Sequence, residues 1–324
     1  MTGGLAFQEF RSLSYFTMIV IQTTAGTWPQ HSGTLLQQYR ATLHNVRRTL
    51  AHRRLTEVFE LSTHVPFDDS SRIVFFSDCH RGDNGRADGF ARNKGLFIQA
   101  LTHYHRQGFT YVEVGDGDEL WKNRQFNAVR RAHGHIFDLL HEFDRRSRLH
   151  LIVGNHDIQG SRRDRVEKDG IVAHEGLVLC HARTGQRIFV VHGHQADFKS
   201  DRLYVVGRFA VRHVWRRLQV LGLGSPPSQP HDNRNRLGIR ERIVEWSQAS
   251  HLAVVCGHTH RPTSARYGEP PYFNTGSCLY PGYITGIEIQ NGEIALVRWS
   301  AGQRGTGCIR RERMAPTRDL GGWA

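Results

Sequence analysis

The sequence predicts an α/β fold, on three observations. Short apolar runs rich in Val, Ile and Phe alternate with longer stretches of helical period, as strands alternate with covering helices. Five runs, R-I-V-F-F-S-D-C-H, Y-V-E-V-G-D, L-I-V-G-N-H-D, R-I-F-V-V-H-G-H and L-A-V-V-C-G-H-T-H, stop in Asp, Asn or His. Those endings fall where open α/β sheets hold their ligands, outside the carboxyl ends of the strands.

Taken in order, residues 1–33 are expected to be a mobile extension. The apolar run Tyr15 to Ile21 is too short to span a bilayer and lacks the basic start of a signal peptide; translation from Met18 is the competing expectation. Over residues 34–66, Leu36, Tyr39, Leu43, Val46 and Leu50 recur at helical spacing among Arg40, Arg47, Arg48, Arg53 and Arg54. This predicts a basic amphipathic helix closed by Pro66, a kind that packs on its own domain more often than on a membrane. The main domain is set at residues 67–300. Within it Gly89 to Gln107 reads as a helix, Val112 to Val114 as a strand, Phe126 to Phe143 as a helix and Leu149 to Val153 as a strand. Strand-rich sequence follows, through I-V-A-H-E-G-L-V-L-C and R-I-F-V-V.

About 60 residues separate H-G-H from G-H-T-H, and residues 196–250 are assigned to a helical insertion. In it Leu203, Val206, Ala210, Val214, Leu218 and Leu221 trace one helical face, Arg208, Arg212 and Arg216 another, and residues 235–250 read as a second helix. Y-F-N-T-G-S, Y-I-T-G-I-E-I and E-I-A-L-V-R-W are three further strands, the last two joined in a hairpin at Asn291-Gly292. Residues 301–324, rich in Arg and Gly, read as a disordered tail.

The strand ends collect Asp78, His80, Asp116, Asn155, His192, His258 and His260. Oxygen and imidazole donors without thiolates suit Mn, Fe, Co, Ni or Zn rather than Ca or a structural zinc. Seven donors are too many for one ion. If Asp116 bridges, they divide into two four-ligand sets, as in two-metal phosphoryl hydrolases whose ions lie roughly 3.5–4 Å apart. In a chain with 21 histidines an isolated one would read as a surface or core residue; order and strand context carry the assignment.

In this order D-C-H, G-D, G-N-H-D, H-G-H and G-H-T-H resemble the calcineurin-like metallophosphoesterase superfamily, over residues 72 to about 300. The resemblance implies a sandwich of two mixed β-sheets flanked by helices, with the site at the strand ends between them. It implies one divalent ion on Asp78, His80, Asp116 and His260 and another on Asp116, Asn155, His192 and His258, Mn being expected and Fe or Zn the alternatives. Two ions sharing a water would lower its pKa from 15.7 toward neutrality and place a hydroxide for in-line attack on phosphorus. His156 matches the family residue that protonates the leaving oxygen, and Glu119 the acidic partner that orients it, with Asp118 as runner-up. Arg81 and Arg261, beside the ligands, are expected to touch substrate together with Arg208, Arg212 and Arg216.

The insertion, with H-G-H-Q-A-D-F-K-S-D-R-L-Y and G-H-T-H-R-P around it, is similar to the UDP-2,3-diacylglucosamine pyrophosphatase branch. Members of that branch hydrolyse a nucleotide-linked lipid pyrophosphate under a helical lid that takes the acyl chains. Two departures stand out: His156 where the branch typically has Arg, and H-G-H where it typically has H-G-D. A lid whose arginine row grips an amphiphilic phosphate ester competes with a helical pair that covers a sheet edge. Within the superfamily the alternatives are a phosphomonoesterase or a phosphodiesterase, nucleases included; outside enzymes it is a non-catalytic scaffold, which seven intact ligands oppose.

The balance of 43 Lys and Arg against 30 Asp and Glu, a net +13, favours anionic partners. A phosphorylated substrate and an anionic membrane surface fit. Nucleic acid fits less well, because the basic residues are spread over helices with no stacking platform. Five cysteines without a C-x-x-C pair suit reduced thiols in the cytoplasm, peripheral on the inner membrane face if the basic helix meets lipid. Cys79 lacks the phosphate-cradling loop and Arg of a Cys-dependent phosphatase.

Overall fold

The computed structural model describes residues 32–123, 125–158, 166–197, 233–302 and 309–320. The chain divides into two units, residues 1–47 and 48–324. Of the first, the described residues are the opening turns of helix α1 (Ser32–Leu61), whose side chains from Ala41 to Arg47 are exposed except for half-buried Leu43.

The second unit carries strands β1 (Thr63–Phe67), β2 (Ile73–Phe76), β3 (Thr110–Val114), β4 (Leu149–Ile152), β5 (Val166–Lys168), β6 (Ile171–His174), β7 (Gly176–His181) and β8 (Arg187–Val191). Later in the chain come β9 (Ala253–Cys256), β10 (Tyr272–Asn274), β11 (Tyr283–Gln290), β12 (Glu293–Ala301), β13 (Ile309–Arg313) and β14 (Arg318–Asp319). They form a five-stranded sheet, β1-β7-β8-β9-β10, and a nine-stranded sheet, β13-β12-β11-β2-β3-β4-β6-β5, with β14 beside β12. In both sheets the strands that end in ligands run parallel: β2, β3 and β4 in one, β8 and β9 in the other.

Four layers result. Parallel strands covered on both faces read as unbroken apolar runs, and all four residues of β2 are buried. Ile73 and Phe75 face the other sheet, meeting Phe67, Leu179 and Val190, while Val74 and Phe76 face helices α2 (Lys94–Arg106), α3 (Phe126–Ala132) and α4 (Gly134–Asp144). On the outer face of the five-stranded sheet lies helix α5 (Asn233–Ser250), burying Ile239, Ile243 and Trp246. The second half of α1 joins it there through Ala51, Leu55 and Val58, spaced i, i+4, i+7.

Several expectations are corrected. Among the described side chains the buried stripe of α1 is Ala51, Leu55 and Val58, whereas Leu43 and Leu50 are half-buried and Val46 exposed, because the sheet that supplies apolar partners lies beside the helix's last turns. The helix also stops at Leu61, where the Ser62 hydroxyl donates to the Val58 carbonyl at 2.7 Å. Residues 63–67 become an edge strand, a place that tolerates Pro66. The helix expected over 89–107 begins as a 3-10 turn, Phe90–Arg92, and Phe126 to Phe143 breaks at His133, whose ring bonds Asp88 at 3.0 Å. Tail residues 309–313 and 318–319 are strands: β13 pairs with β12, and Arg311 donates to buried Glu288 at 2.7 Å. The hairpin at Asn291-Gly292 has both residues left-handed, φ 56° and 70°, the type I′ geometry its sequence suggests.

Candidate metal centre

All seven expected ligands lie just beyond strand ends, Asp78, His80, Asp116 and Asn155 from the nine-stranded sheet and His192, His258 and His260 from the five-stranded one. Five have left-handed backbone: Asp78 (φ 52°), His80 (48°), Asp116 (51°), His258 (65°) and His260 (54°). That conformation costs a non-glycine residue roughly 1–3 kcal/mol and persists where surrounding structure over-determines it. Here Asp78 N–H donates to the Gly115 carbonyl (3.0 Å), His80 N–H to Asp116 (2.8 Å) and Gly257 N–H to His192 (3.0 Å). Glycine is required where loops meet. A Cβ on Gly154 would lie 2.1 Å from Asp116 Oδ1, and one on Gly257 2.3 Å from Ser77 Oγ.

The donors fall into groups. Asp78, His80 and His260 form one, and Asp116, His192 and His258 another, the atoms of each within 4.8 Å of one another. In the first, His260 Nε2 lies 3.0 Å from Asp78 Oδ1 and 3.3 Å from His80 Nε2. Asp116 stands between the groups, its Oδ2 3.2 Å from His192 Nε2 and 3.6 Å from His80 Nε2. The remaining carboxylate oxygens are spoken for: Asp78 Oδ2 accepts from His258 N–H (2.9 Å) and Asp116 Oδ1 from His156 N–H (2.8 Å). His192 Nδ1 donates to the Val114 carbonyl at 2.8 Å, which orients the ring and leaves Nε2 facing Asp116.

This set fits divalent cations. Asp78 Oδ1, Asn155 Oδ1 and His192 Nε2 are buried without a hydrogen-bond partner, a costly state for polar atoms unless a cation completes them. The electrostatics agree. Burial opposes charge on Asp78 and Asp116, yet the surrounding imidazoles hold both carboxyls well below their usual range. Burial likewise opposes charge on His192, but Asp116 and Asp78 outweigh it and push the imidazole up to about 9. The pocket therefore holds excess negative potential that a cation satisfies.

A third group, His80, Glu119 and His156, adjoins the first. His156 Nδ1 lies 2.9 Å from Glu119 Oε1, and the Trp121 ring stacks on the imidazole at 4.1 Å and 20°. Trp121 also donates from Nε1 to the Asn155 carbonyl at 2.7 Å, linking a candidate ligand and its neighbour. Burial opposes charge on Glu119, but His156 and His80 hold its carboxyl well below the ordinary range.

Other sequence-based assignments fare differently. Arg81 is corrected: it is fully buried and its guanidinium is taken up by carboxylates, Nη1 and Nη2 on Glu113 at 2.7 and 2.8 Å and Nε on Asp118 at 2.8 Å. Asp118, so engaged, does not reach His156. Arg261 is half-buried and bonds Asn233, the first residue of α5. Arg208, Arg212 and Arg216, like residues 1–31 and most of the proposed lid, lie outside the described residues; α5, the described end of the insertion, packs on the sheet. Cys79 is buried and burial pushes its thiol up, which suits an inert core residue. Trp121, Ser77, Glu113 and Lys168 had no sequence signal. Only the G-D-G-D-E-L-W spacing after a ligand strand could have pointed to Trp121.

The sequence profile of the calcineurin-like phosphoesterases matches residues 71–262. No curated protein matches the chain. Among solved structures, Vps29 of Cryptosporidium parvum is similar at 13% identity and TM-score 0.38, covering 76% of this chain and 98% of its own. Chaetomium thermophilum Vps29 gives 10%, 0.36, 77% and 99%, and a mutant cold-active protein tyrosine phosphatase 13%, 0.38, 79% and 84%. At such TM-scores these likenesses carry no argument. The profile spans more than half of the 324 residues and takes in every candidate ligand, and the chain belongs to the calcineurin-like phosphoesterase family.

Proposed function

We propose that the protein is a phosphoester hydrolase dependent on two divalent ions, with Mn the expected metal. The observation that carries this is the division of the buried donors: Asp78, His80 and His260 on one side, Asp116, His192 and His258 on the other, with Asp116 between them. Asn155, with its bare Oδ1, completes the second set. When bound, the ions would supply electrophilic charge to the phosphoryl oxygens and acidify water.

The chain's own residues do the rest. Glu119 holds Nδ1 of His156 and Trp121 covers one ring face, so Nε2 is left to give a proton to the leaving oxygen. Trp121, through the Asn155 carbonyl, keeps that imidazole in register with a ligand.

The substrate class suggested by the sequence around the insertion is a nucleotide-linked lipid pyrophosphate, as in UDP-2,3-diacylglucosamine hydrolysis. The Glu119–His156 pair favours a second reading. A nucleotide leaving group needs little protonation, whereas the alkoxide of a phosphomonoester or diester needs much, and a held imidazole serves the latter. No described helix is long and apolar enough to cross a membrane. The exposed Arg47 and Arg48 of α1 suit a cytoplasmic protein that touches an anionic membrane face. A screen of Mn-loaded protein against mono-, di- and pyrophosphate esters, with and without a lipid tail, tests these readings. Protein that holds two ions and cleaves none of them would overturn the proposal.

A further inference from the structure

Behind the ligand loops lies a set of five buried charges: Arg81, Glu113, Asp118, Asp157 and Lys168, none more than 3% exposed. Each loop supplies one. Arg81 follows His80, Asp118 lies two residues after Asp116 and Asp157 two after Asn155. Arg81 takes both Glu113 oxygens and Asp118, and its backbone pairs with the Asp116 loop, N–H to Gly117 at 2.9 Å and carbonyl from Glu119 N–H at 2.9 Å. Asp157 accepts from Gly154 N–H (2.8 Å) and Asp118 N–H (2.9 Å), tying the Asn155 loop to the Asp116 loop.

Lys168 enters from outside these loops, at the end of β5. Its Nζ lies 2.6 Å from Asp157, 3.2 Å from Glu113 and 3.4 Å from Asp118. The turn that carries it is itself anchored: Asp169 accepts from Arg130 of α3 at 2.6 Å and faces His141 of α4 at 2.9 Å. Without the ammonium, three buried carboxylates would share one guanidinium, and the two loops joined by Asp157 would carry unbalanced repulsion. Buried ion clusters are poor sources of net stability, and their best-attested use is to set geometry.

We propose that Lys168 is a positioning residue for the metal centre, holding the Asp116 and Asn155 loops at the separation their ligands need. The inference rests on the proposed two-ion site, and it has a sign that simple electrostatics lacks. Removing a cation near a cation site favours binding by charge alone. Removing a positioning residue weakens it.

The test titrates metal-free wild type and Lys168→Met with Mn, reading free Mn by electron paramagnetic resonance, and follows Co substitution by visible absorption as a report on ligand geometry. The expected result is an apparent Kd at least ten times higher in the variant, with an altered Co spectrum and an unchanged far-UV circular dichroism spectrum. Equal or tighter binding overturns the inference. Should Lys168→Met not fold, Lys168→Met/Asp118→Asn keeps the wild-type net charge but leaves Asp157 without its ammonium: positioning still predicts weaker binding than wild type, and undiminished affinity there overturns it. Wild-type protein that takes up no Mn overturns both this inference and the proposed function, whereas Mn uptake with equal affinity in the variants overturns this one alone.

Discussion

Glu119 Oε1 stands 2.9 Å from His156 Nδ1, so the imidazole one residue beyond candidate ligand Asn155 is held by a carboxylate two residues before the tryptophan that stacks on it. A held ring of this kind serves proton transfer better than ligation. His156→Ala should leave metal content intact and slow esters with poor leaving groups about 10²–10⁴-fold, while activated aryl phosphates lose far less. Glu119→Gln should follow the same pattern more weakly. A rate loss that does not vary with leaving-group pKa would remove His156 from the acid role.

Asp116 lies between the two donor groups, and its neighbour across the loops is a glycine with no room for a side chain. Asp116→Ala should lower bound Mn below that of wild type and reduce hydrolysis by orders of magnitude. Gly154→Ala should do likewise and also lower the melting temperature, since the added methyl would overlap the Asp116 carboxylate and backbone nitrogen at 2.1 and 2.2 Å. Elemental analysis of both proteins, beside their melting curves, decides this. Full metal content in Gly154→Ala would show that the loop can yield.

Strand β13 docks by a charge. Arg311 binds Glu288, which is 3% exposed and also takes the Tyr104 hydroxyl. Arg311→Met should cost about 1–3 kcal/mol in urea unfolding, the cost of leaving a buried charged acceptor short of a donor. Glu288→Gln in the same chain should recover most of it. Additive losses in the double variant would mean that β13 is held by its backbone ladder instead.

Glu113 fixes an acid limit. Burial alone would raise its pKa from 4.5, but Arg81 and Lys168 outweigh that and bring it to about 2. A carboxyl whose folded pKa is depressed gives stability that is complete above the unfolded value and fades as pH falls through the folded one. Wild type should therefore lose stability between pH 4.5 and about 2 more steeply than Glu113→Gln. Parallel slopes in acid titrations followed by fluorescence would contradict this.

The convergence of the candidate ligands was legible in sequence because strand ends convert a linear motif into a place: D-C-H, G-D, G-N-H-D, H-G-H and G-H-T-H each close an apolar run. Glu119 was legible only through resemblance. What lay hidden was the charge behind the site. Glu113 and Lys168 sit on strands, where a charged residue ordinarily reads as solvent-facing, and Arg81 beside a ligand reads as a substrate contact. Burial of such residues depends on partners distant in sequence, Lys168 on Asp118 fifty residues earlier and Arg311 on Glu288, which no local pattern reveals. Residues 309–313 differ from the expected tail for the same reason: composition suggests solvation, but a sheet edge and a buried carboxylate take them up.

The His258 amide donates to Asp78 Oδ2 at 2.9 Å, a hydrogen bond that crosses from one sheet to the other. Because the donors come from both sheets, any cation they share would suture the sandwich along that rim, and ion binding would become part of its cohesion. Saturation a hundredfold above Kd adds about 2.7 kcal/mol to the folded state. Chelation should then unzip the rim before it loosens the layers beneath, and deuterium uptake at the His258 amide, compared with and without Mn, would time that opening.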